Sequence, residues 1–440
     1  VIDLTTFNKR RERFLAQLGD VAAIIPAASL VTHHADCEHR FRQDSDFWYL
    51  TGFDEPDAIA LLLPFRPLGE RFILFVHPKD PALEVWQGSR CGIKDAVKYF
   101  GADLAHPLDE FSQRLGDYLV GAESIAFRVG KHSKVEEIVL GVWSAQLDMA
   151  SRRGLAPYSL IAPCPFIHQL RLRKDPEELE RMREAARISV EAHELARKVA
   201  RPGMNERELQ AVIEKHFLEK GARGPAYGSI VATGDNACIL HYTANNAPLR
   251  DGDLLLIDAG CSLEDYYNAD ITRTFPVNGK FNSEQRALYE IVFAAQQAAI
   301  ETICPGQNAE GVHQAALKVL VEGLLEIGLL VGSVDEVIEK GFYRHFYMHR
   351  TGHWLGLDVH DVGAYRLGEY PVDLQSGMVL TVEPGLYISE RLPVPEGQPE
   401  IDDCWKGIGI RIEDDVLVTD DGSEVFTESA VSKVEDVERC

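Results

Sequence analysis

The chain has 440 residues, 45% of them hydrophobic, and carries 69 acidic against 45 basic side chains, for a formal net charge of −24. That apolar fraction excludes a disordered chain, and the length predicts two domains rather than one core. The acidic balance, with no basic stripe longer than a few residues, excludes a nucleic-acid partner, because phosphate recognition rests on clustered Lys and Arg.

Residues 6–18 carry the pattern of an amphipathic helix, and "VAAIIPA" (21–27) reads as the first buried strand. "AIALLLP" (58–64) and "RFILFV" (71–76) continue a mixed α/β domain. A boundary is expected near residue 170, giving an N-terminal mixed-sheet domain (1–172) and a C-terminal domain (173–440). The second domain opens with a long helix: Asp175 is the N-cap, Pro176 sits in the first turn, and Glu177 and Glu178 suit the positive helix end. Pro202-Gly203 stops it. A second helix is predicted over 206–219, and strands dominate to about 275. Helices are expected at about 283–302 and 308–328, and strand-like segments at 345–363, 377–389 and 407–419. A helix pair followed by strands therefore occurs twice, which hints at two similar α/β halves.

The eight cysteines (Cys37, Cys91, Cys164, Cys238, Cys261, Cys304, Cys404 and Cys440) form no CxxC pair. They read as reduced thiols rather than a disulfide framework or zinc ribbon. The apolar stretch Val21–Val31 is too short to span a bilayer and follows a charged helical segment rather than opening a signal peptide. The expectation is a cytoplasmic protein with no membrane partner.

The chemistry concentrates in the C-terminal part. "DAGCSLEDYYNADITRTF" (258–275) sets Asp258 at the end of an apolar run and Asp270 twelve positions later, at the start of a β-favouring one. Two carboxylates opposed across a strand–turn–strand repel unless something positive lies between them. "MHRTGHWLGLDVHDVG" (348–363) holds His349, His353 and His360, and "TVEPGLY" (381–387) places Glu383 before a Pro-Gly turn. In "GIGIRIEDDVLVT" (407–419), alternation puts Arg411 and Glu413 on one face and Ile410 and Ile412 on the other. "CILHYTANN" (238–246) ends a short apolar run with His241.

Asp258, Asp270, His353, Glu383 and Glu413 each lie near the end of an apolar segment, where side chains converge at one edge of a sheet. Four carboxylates and an imidazole form a hard donor set suited to a pair of Mn²⁺, Co²⁺, Fe²⁺ or Zn²⁺ ions, and no thiolate joins them. Two divalent cations would cancel four negative charges. Such pairs lower the pKa of a bridging water from about 15.7 toward neutrality, and the hydroxide attacks a carbonyl carbon. Metal-assisted hydrolysis is the reaction class that follows. Any one of these carboxylates is more often a cap or a solvated residue, and a lone His353 more often a core histidine, so the joint pattern carries the reading. HExxH, GxSxG, P-loop and GxGxxG motifs are all missing, which removes the zincin, serine hydrolase, NTPase and dinucleotide-binding alternatives.

Taken in order, "HYT", "DAG…DITRTF", "HWLGLDVHD", "TVEPGLY" and "GIRIEDD" resemble the Xaa-Pro aminopeptidases (aminopeptidase P) of the pita-bread metallopeptidase superfamily. "FRQDSDFWYLTGFDEPDA" (41–58) resembles the N-terminal domain of its bacterial-type members, so the likeness spans nearly the whole chain. The resemblance implies a C-terminal pita-bread domain of two pseudo-two-fold halves and a dinuclear centre, usually Mn²⁺. The implied activity is removal of the N-terminal residue from peptides with proline second. By position, Asp258, Asp270, His353, Glu383 and Glu413 match the metal ligands, with Asp270 bridging and Glu383 also the general base. His360 matches an oxyanion donor, His349 and His241 the substrate-handling histidines, and Arg411 a nearby arginine; Tyr387 is a further donor near the metals.

A homo-oligomer, dimer or tetramer, is also implied, with Trp86 a candidate contributor to a neighbour's site, against a simple packing role. The walls of a proline pocket fall among Trp354, Tyr365 and Tyr387. Two departures stand out. The interval from Asp258 to Asp270 is twelve where eleven is usual, so an extra residue sits in the hairpin tip or in a bulge that would turn Asp270 away. Arg350 follows His349 where glycine is common. The alternatives are a prolidase confined to X-Pro dipeptides, a methionine aminopeptidase, disfavoured by the large N-terminal domain, and a non-catalytic binding protein on the same fold.

Overall fold

The computed structural model describes residues 2–389, 391 and 394–438, so Cys440 lies outside the described residues. The chain falls into two compact units, Val1–Arg171 and Leu172–Cys440.

In the first unit a six-stranded sheet runs in the order Leu104–Pro107, Phe72–Val76, Ile59–Leu62, Val21–Pro26, Ser124–Ala126 and Ser159–Ile161. The strands Val21–Pro26, Ile59–Leu62 and Phe72–Val76 pair antiparallel, and the outer three pairings are parallel. The sheet is mixed, as the sequence predicts. Its central strands are buried at nearly every position, which is why they read as continuous apolar runs.

The second unit is built twice over. Helices Pro176–Val199 and Glu206–Glu219 precede a three-stranded antiparallel sheet of Ile230–Thr233, Leu254–Asp258 and Thr272–Pro276. Helices Ser283–Glu301 and Ala309–Glu326 precede another, of Val379–Val382, Asp414–Val418 and Ser423–Val425. Three of these helices open with a reciprocal capping box, in which an Asp or Asn side chain takes an N3 amide and a Glu or Gln reaches back: Asp175/Glu178, Asn205/Glu208 and Asn282/Gln285.

Two hairpins place the chemistry. In the first, Leu254 pairs with Pro276 and Asp258 with Thr272, and the same register continues past the ladder: the amide of Ala259 donates to the Ile271 carbonyl, Ala269 to Cys261 and Leu263 to Tyr267. No bulge intervenes. The turn closes with Tyr266 at φ +70°. Gly260 is required by close approach, because a Cβ there would stand 1.8 Å from the Ala269 carbonyl oxygen.

In the second hairpin Val382 pairs with Asp414 and Gly385 with Arg411, so residues 383 and 413 face each other in an unbroken count although the ladder itself is interrupted. Pro384 has no amide hydrogen to donate there. The two freed amides go elsewhere: Glu413 donates to Thr272 of the first hairpin and Glu383 to Thr351.

One predicted element is corrected. The segment 345–363 is not a continuous strand: after an initial 3₁₀ turn only 351–355 run antiparallel to 379–383, through three backbone hydrogen bonds and the Trp354–Leu380 bridge, and the rest is irregular. Its glycines explain this. Gly352 passes so close to Thr381 that a Cβ would lie 1.9 Å from the carbonyl oxygen, and Gly356 leaves room for the Asp361 carboxylate. His353 is presented by the pairing with 379–383, since its own carbonyl accepts the Thr381 amide, whereas His349 and His360 lie outside it.

Candidate metal centre

Asp258 and Thr272 are cross-strand partners, so their side chains share a face, and Asp270, two residues before Thr272, shares it too. Glu383 and Glu413 share a face by the same logic across the second hairpin. The two hairpins are tied by the Glu413 amide and by Arg273, which donates to the carbonyls of Glu413 at 2.6 Å and Thr272 at 3.0 Å. The result is convergence. His353 Nε2 lies 3.3 Å from Asp270 Oδ2 and 3.7 Å from Glu383 Oε1. Donor atoms of Asp270, His353 and Glu413 all fall within 4.8 Å of one another.

Each group is held from behind. His353 Nδ1 is 3.0 Å from the Trp354 carbonyl, which places the ring hydrogen there and leaves Nε2 facing the carboxylates. The Thr272 hydroxyl donates to Glu413 Oε2 at 2.7 Å. Arg411 spreads its guanidinium over three partners: Asp258 Oδ2 at 2.6 Å, the Tyr387 hydroxyl at 3.0 Å and Thr272 Oγ1 at 3.0 Å. Ile410 and Ile412 point into the core, as the alternation requires.

The electrostatics fit a cation. Burial and the neighbouring carboxylates push Asp258 and, much further, Glu413 above the usual range, with Arg411 opposing; burial takes Glu383 to about 7 against the pull of His353 and Arg411. Burial would lower His353, yet Asp270 and Glu383 raise it to about 9. The Tyr227 hydroxyl stands 2.6 Å from Asp258 Oδ1 and 2.5 Å from Asp270 Oδ1. A single phenol hydrogen cannot satisfy two carboxylates, so this cluster is built for positive charge beyond its own side chains.

Of the other predicted residues, His349 lies beside Glu383, its Nδ1 3.8 Å from Oε2. Both of its nitrogens are engaged, Nδ1 at the Arg350 carbonyl (2.8 Å) and Nε2 at the Tyr387 hydroxyl (2.9 Å); burial, first, and Arg411 lower it to about 3, so it is neutral. The His360 ring packs edge-on against His353, with centroids 4.2 Å apart. His241 is exposed and close enough for its charge to bear on His349 and His360. Arg350 is tied to Glu310 at 2.6 Å.

Trp354 does not line a pocket. It is 1% exposed and stacks at 5.0 Å under Tyr365, which is 41% exposed. Tyr387 is fully buried, its hydroxyl accepting from Arg411 and donating to His349. Trp86 is 86% exposed on the Pro81–Gln87 helix, so packing within the chain is not its role.

Two residues at the site escaped the sequence reading. Tyr227 precedes the Ile230–Thr233 strand in a stretch without periodicity, and reaches the aspartates because Gly224–Pro225 pairs with Cys261–Ser262. Asp415 accepts the Asp270 amide at 3.2–3.3 Å and so fixes that backbone. The "EDD" run contained it, but nothing local separates it from Asp414, which binds Arg273 instead.

Residues 180–420 match the family model for metallopeptidase family M24, and residues 7–126 match that for the aminopeptidase P N-terminal domain. The chain belongs to metallopeptidase family M24. Within M24, it is 43% identical to the Xaa-Pro aminopeptidase of Escherichia coli K12, covering 98% of this chain and 96% of that protein, and 41% identical to the Xaa-Pro aminopeptidase of Haemophilus influenzae, with the same coverage. Aminopeptidase PepP of Pseudomonas aeruginosa superposes with a TM-score of 0.94 at 43% identity, covering 99% of this chain and 97% of that one. Aminopeptidase P from E. coli with the inhibitor Pro-Leu gives 0.92 at 42% identity, covering 99% and 98%. The duplicated second unit is thus the M24 pita-bread domain, and the resemblance read from the motifs holds. As an M24 metallopeptidase the chain is a hydrolase that takes divalent metal and acts on peptides. No helix among the described residues is long and apolar enough to cross a membrane.

Proposed function

We propose that this chain is a dinuclear-metal exopeptidase that removes the N-terminal residue from peptides with proline in the second position. Residues 173–440 form the catalytic domain in this reading and 1–172 the N-terminal one. The observation that carries it is the convergence of Asp258, Asp270, Glu383 and Glu413 with His353 where two hairpins meet, in a site whose own cations do not balance its carboxylates. Those five residues would hold two ions, with Asp270 between them. Mn²⁺ is the best match to so oxygen-rich a set, with Co²⁺, Zn²⁺ or Fe²⁺ as substitutes. The ions supply Lewis acidity and make a water nucleophilic near neutral pH.

The side chains do the rest. Glu383 takes the proton of the attacking water as general base and carries it to the prolyl nitrogen, which leaves as a secondary amine. His360, exposed beside His353, donates to the oxyanion. His241 and His349 border the scissile bond and the proline; His349 exchanges one of its present partners to do so. An X-Pro bond offers no amide hydrogen and has fixed φ, so a peptidase for it grips the ring rather than the N–H. Arg411 holds Asp258, and through Tyr387 it holds His349.

We place the enzyme in the cytoplasm, where seven described cysteines without disulfides are at home. It is a homo-oligomer, dimer or tetramer, in which the exposed Trp86 is covered by a second copy.

Mn²⁺-loaded protein tests the reading. Arg-Pro-Pro and longer peptides should lose their first residue, and metal analysis should find two ions per chain. Hydrolysis confined to X-Pro dipeptides would establish the prolidase alternative, and no hydrolysis with no metal would establish a binding protein.

A further inference from the structure

A second convergence of ligating side chains lies wholly within the first unit. Cys164 and His168 stand one turn apart on the Cys164–Leu172 helix and therefore share a face. Asp46 comes from the first turn of the Ser45–Thr51 helix. One carboxylate oxygen, the sulfur and one ring nitrogen all lie within 4.8 Å of one another. Arg171 donates to Asp46 Oδ1 at 2.7 Å and orients the carboxylate. The other oxygen, Oδ2, is 3.4 Å from His168 Nε2.

That separation is informative. It is too long for a good N–H···O hydrogen bond, and the buried Nε2 has no hydrogen-bond partner. Two ligands on one tetrahedral ion, each bonded at about 2.0–2.1 Å, stand about 3.3 Å apart. The imidazole and the carboxylate are spaced as co-ligands, with a thiol beside them. Burial and the adjacent Asp46 charge keep that thiol above its usual range, so it is neutral until a cation displaces its proton.

We propose that Asp46, Cys164 and His168 form a non-catalytic site for one divalent cation of the zinc class (Zn²⁺, Co²⁺ or Cd²⁺), with solvent as fourth ligand. The sulfur separates its preference from that of the oxygen-rich centre, because thiolate selects the softer ions and Mn²⁺ favours carboxylate. The ion clips the Ser45–Thr51 helix to the Cys164–Leu172 helix, which are distant in sequence. Arg171 supports the site through Asp46 rather than competing for it.

Cobalt alone is the probe. With the Mn²⁺-loaded protein, added Co²⁺ should give a near-ultraviolet thiolate-to-cobalt charge-transfer band that saturates at one equivalent per chain. The carboxylate and imidazole centre has no sulfur to produce such a band. Cys164→Ser should abolish it while leaving peptide hydrolysis unchanged, and His168→Ala should weaken cobalt binding by at least about tenfold, the lower end of the effect of losing even a supporting partner. Failure to see a thiolate band, a band that persists in Cys164→Ser, or affinity untouched by His168→Ala would each overturn the proposal. The first of these would leave the cluster as an Arg171–Asp46–His168 ion triad.

Discussion

Asp258 faces Thr272 across an unbroken antiparallel register, and this pairing alone puts Asp270 on the same face as Asp258. The register of the ladder, not the number of residues between the two aspartates, decides this. In a continuous ladder side chains alternate, so an odd change inside it reverses the face while a change in the turn does not. One glycine inserted after Asp265, in the turn, should leave metal content intact. One inserted between Asp270 and Ile271 should remove it, as should Gly260→Ala, whose methyl meets the Ala269 carbonyl. Elemental analysis of the purified variants decides.

Asp270 and Glu413 each lie at the junction of the two hairpins, and each places a ligand atom within 4.8 Å of one on His353. Asp270→Ala and Glu413→Ala should lose turnover and bound metal together, while keeping the native circular dichroism spectrum. Removing a carboxylate from a crowded, buried set relieves repulsion, so the metal-free forms of these variants should be no less stable than the metal-free parent. Retained activity in either variant would refute the dinuclear assignment.

Arg411 makes three directed contacts from one planar group. A lysine keeps the charge and loses the fork. Arg411→Lys should therefore lower metal affinity or kcat about 10–100-fold, as loss of a supporting partner does. If charge alone mattered, the variant would match the parent in a metal titration followed by peptide hydrolysis.

His193, on the first long helix, is buried with Nε2 at 2.9 Å from the Ala259 carbonyl, next to Asp258. Burial lowers it to about 4 against the pull of that carbonyl. The folded state thus binds the proton less readily than the unfolded chain, whose histidine titrates near 6.5. The associated stability is complete above about pH 6.5 and is lost as pH falls toward 4, by about 3 kcal/mol. Urea unfolding across that range should show the loss in the parent and a shallower one in His193→Gln, whose amide can still donate to Ala259. Equal slopes would remove His193 from the acid response.

How much of this was legible in the sequence depends on whether the signal was local. Asp175-Pro176 announces a helix because its cap is satisfied within four residues, and the structure shows the same local device at Asn205 and Asn282. Asp258, Asp270, Glu383 and Glu413 announce themselves because each ends or opens a hydrophobic run, and the order of their motifs carries the family. The loop at 345–363 misleads for the same reason: β-branched and aromatic residues imitate a strand, while Gly352 and Gly356 answer to backbone and side chains that are not neighbours in sequence.

Tyr227, Asp415 and the Arg411–Tyr387–His349 chain of hydrogen bonds were decided only by the tertiary structure. So was the opposition of Glu383 and Glu413, which depends on a register that continues through the break at Pro384. The sequence by itself determined the helices, the hairpins and the list of charged groups, because backbone propensity and alternation act over a few residues. Which of those groups share a face, and which stands behind which, was settled by pairing between separate segments, from the register within each hairpin to the Glu413 amide reaching Thr272 of the other hairpin and the Glu383 amide reaching Thr351.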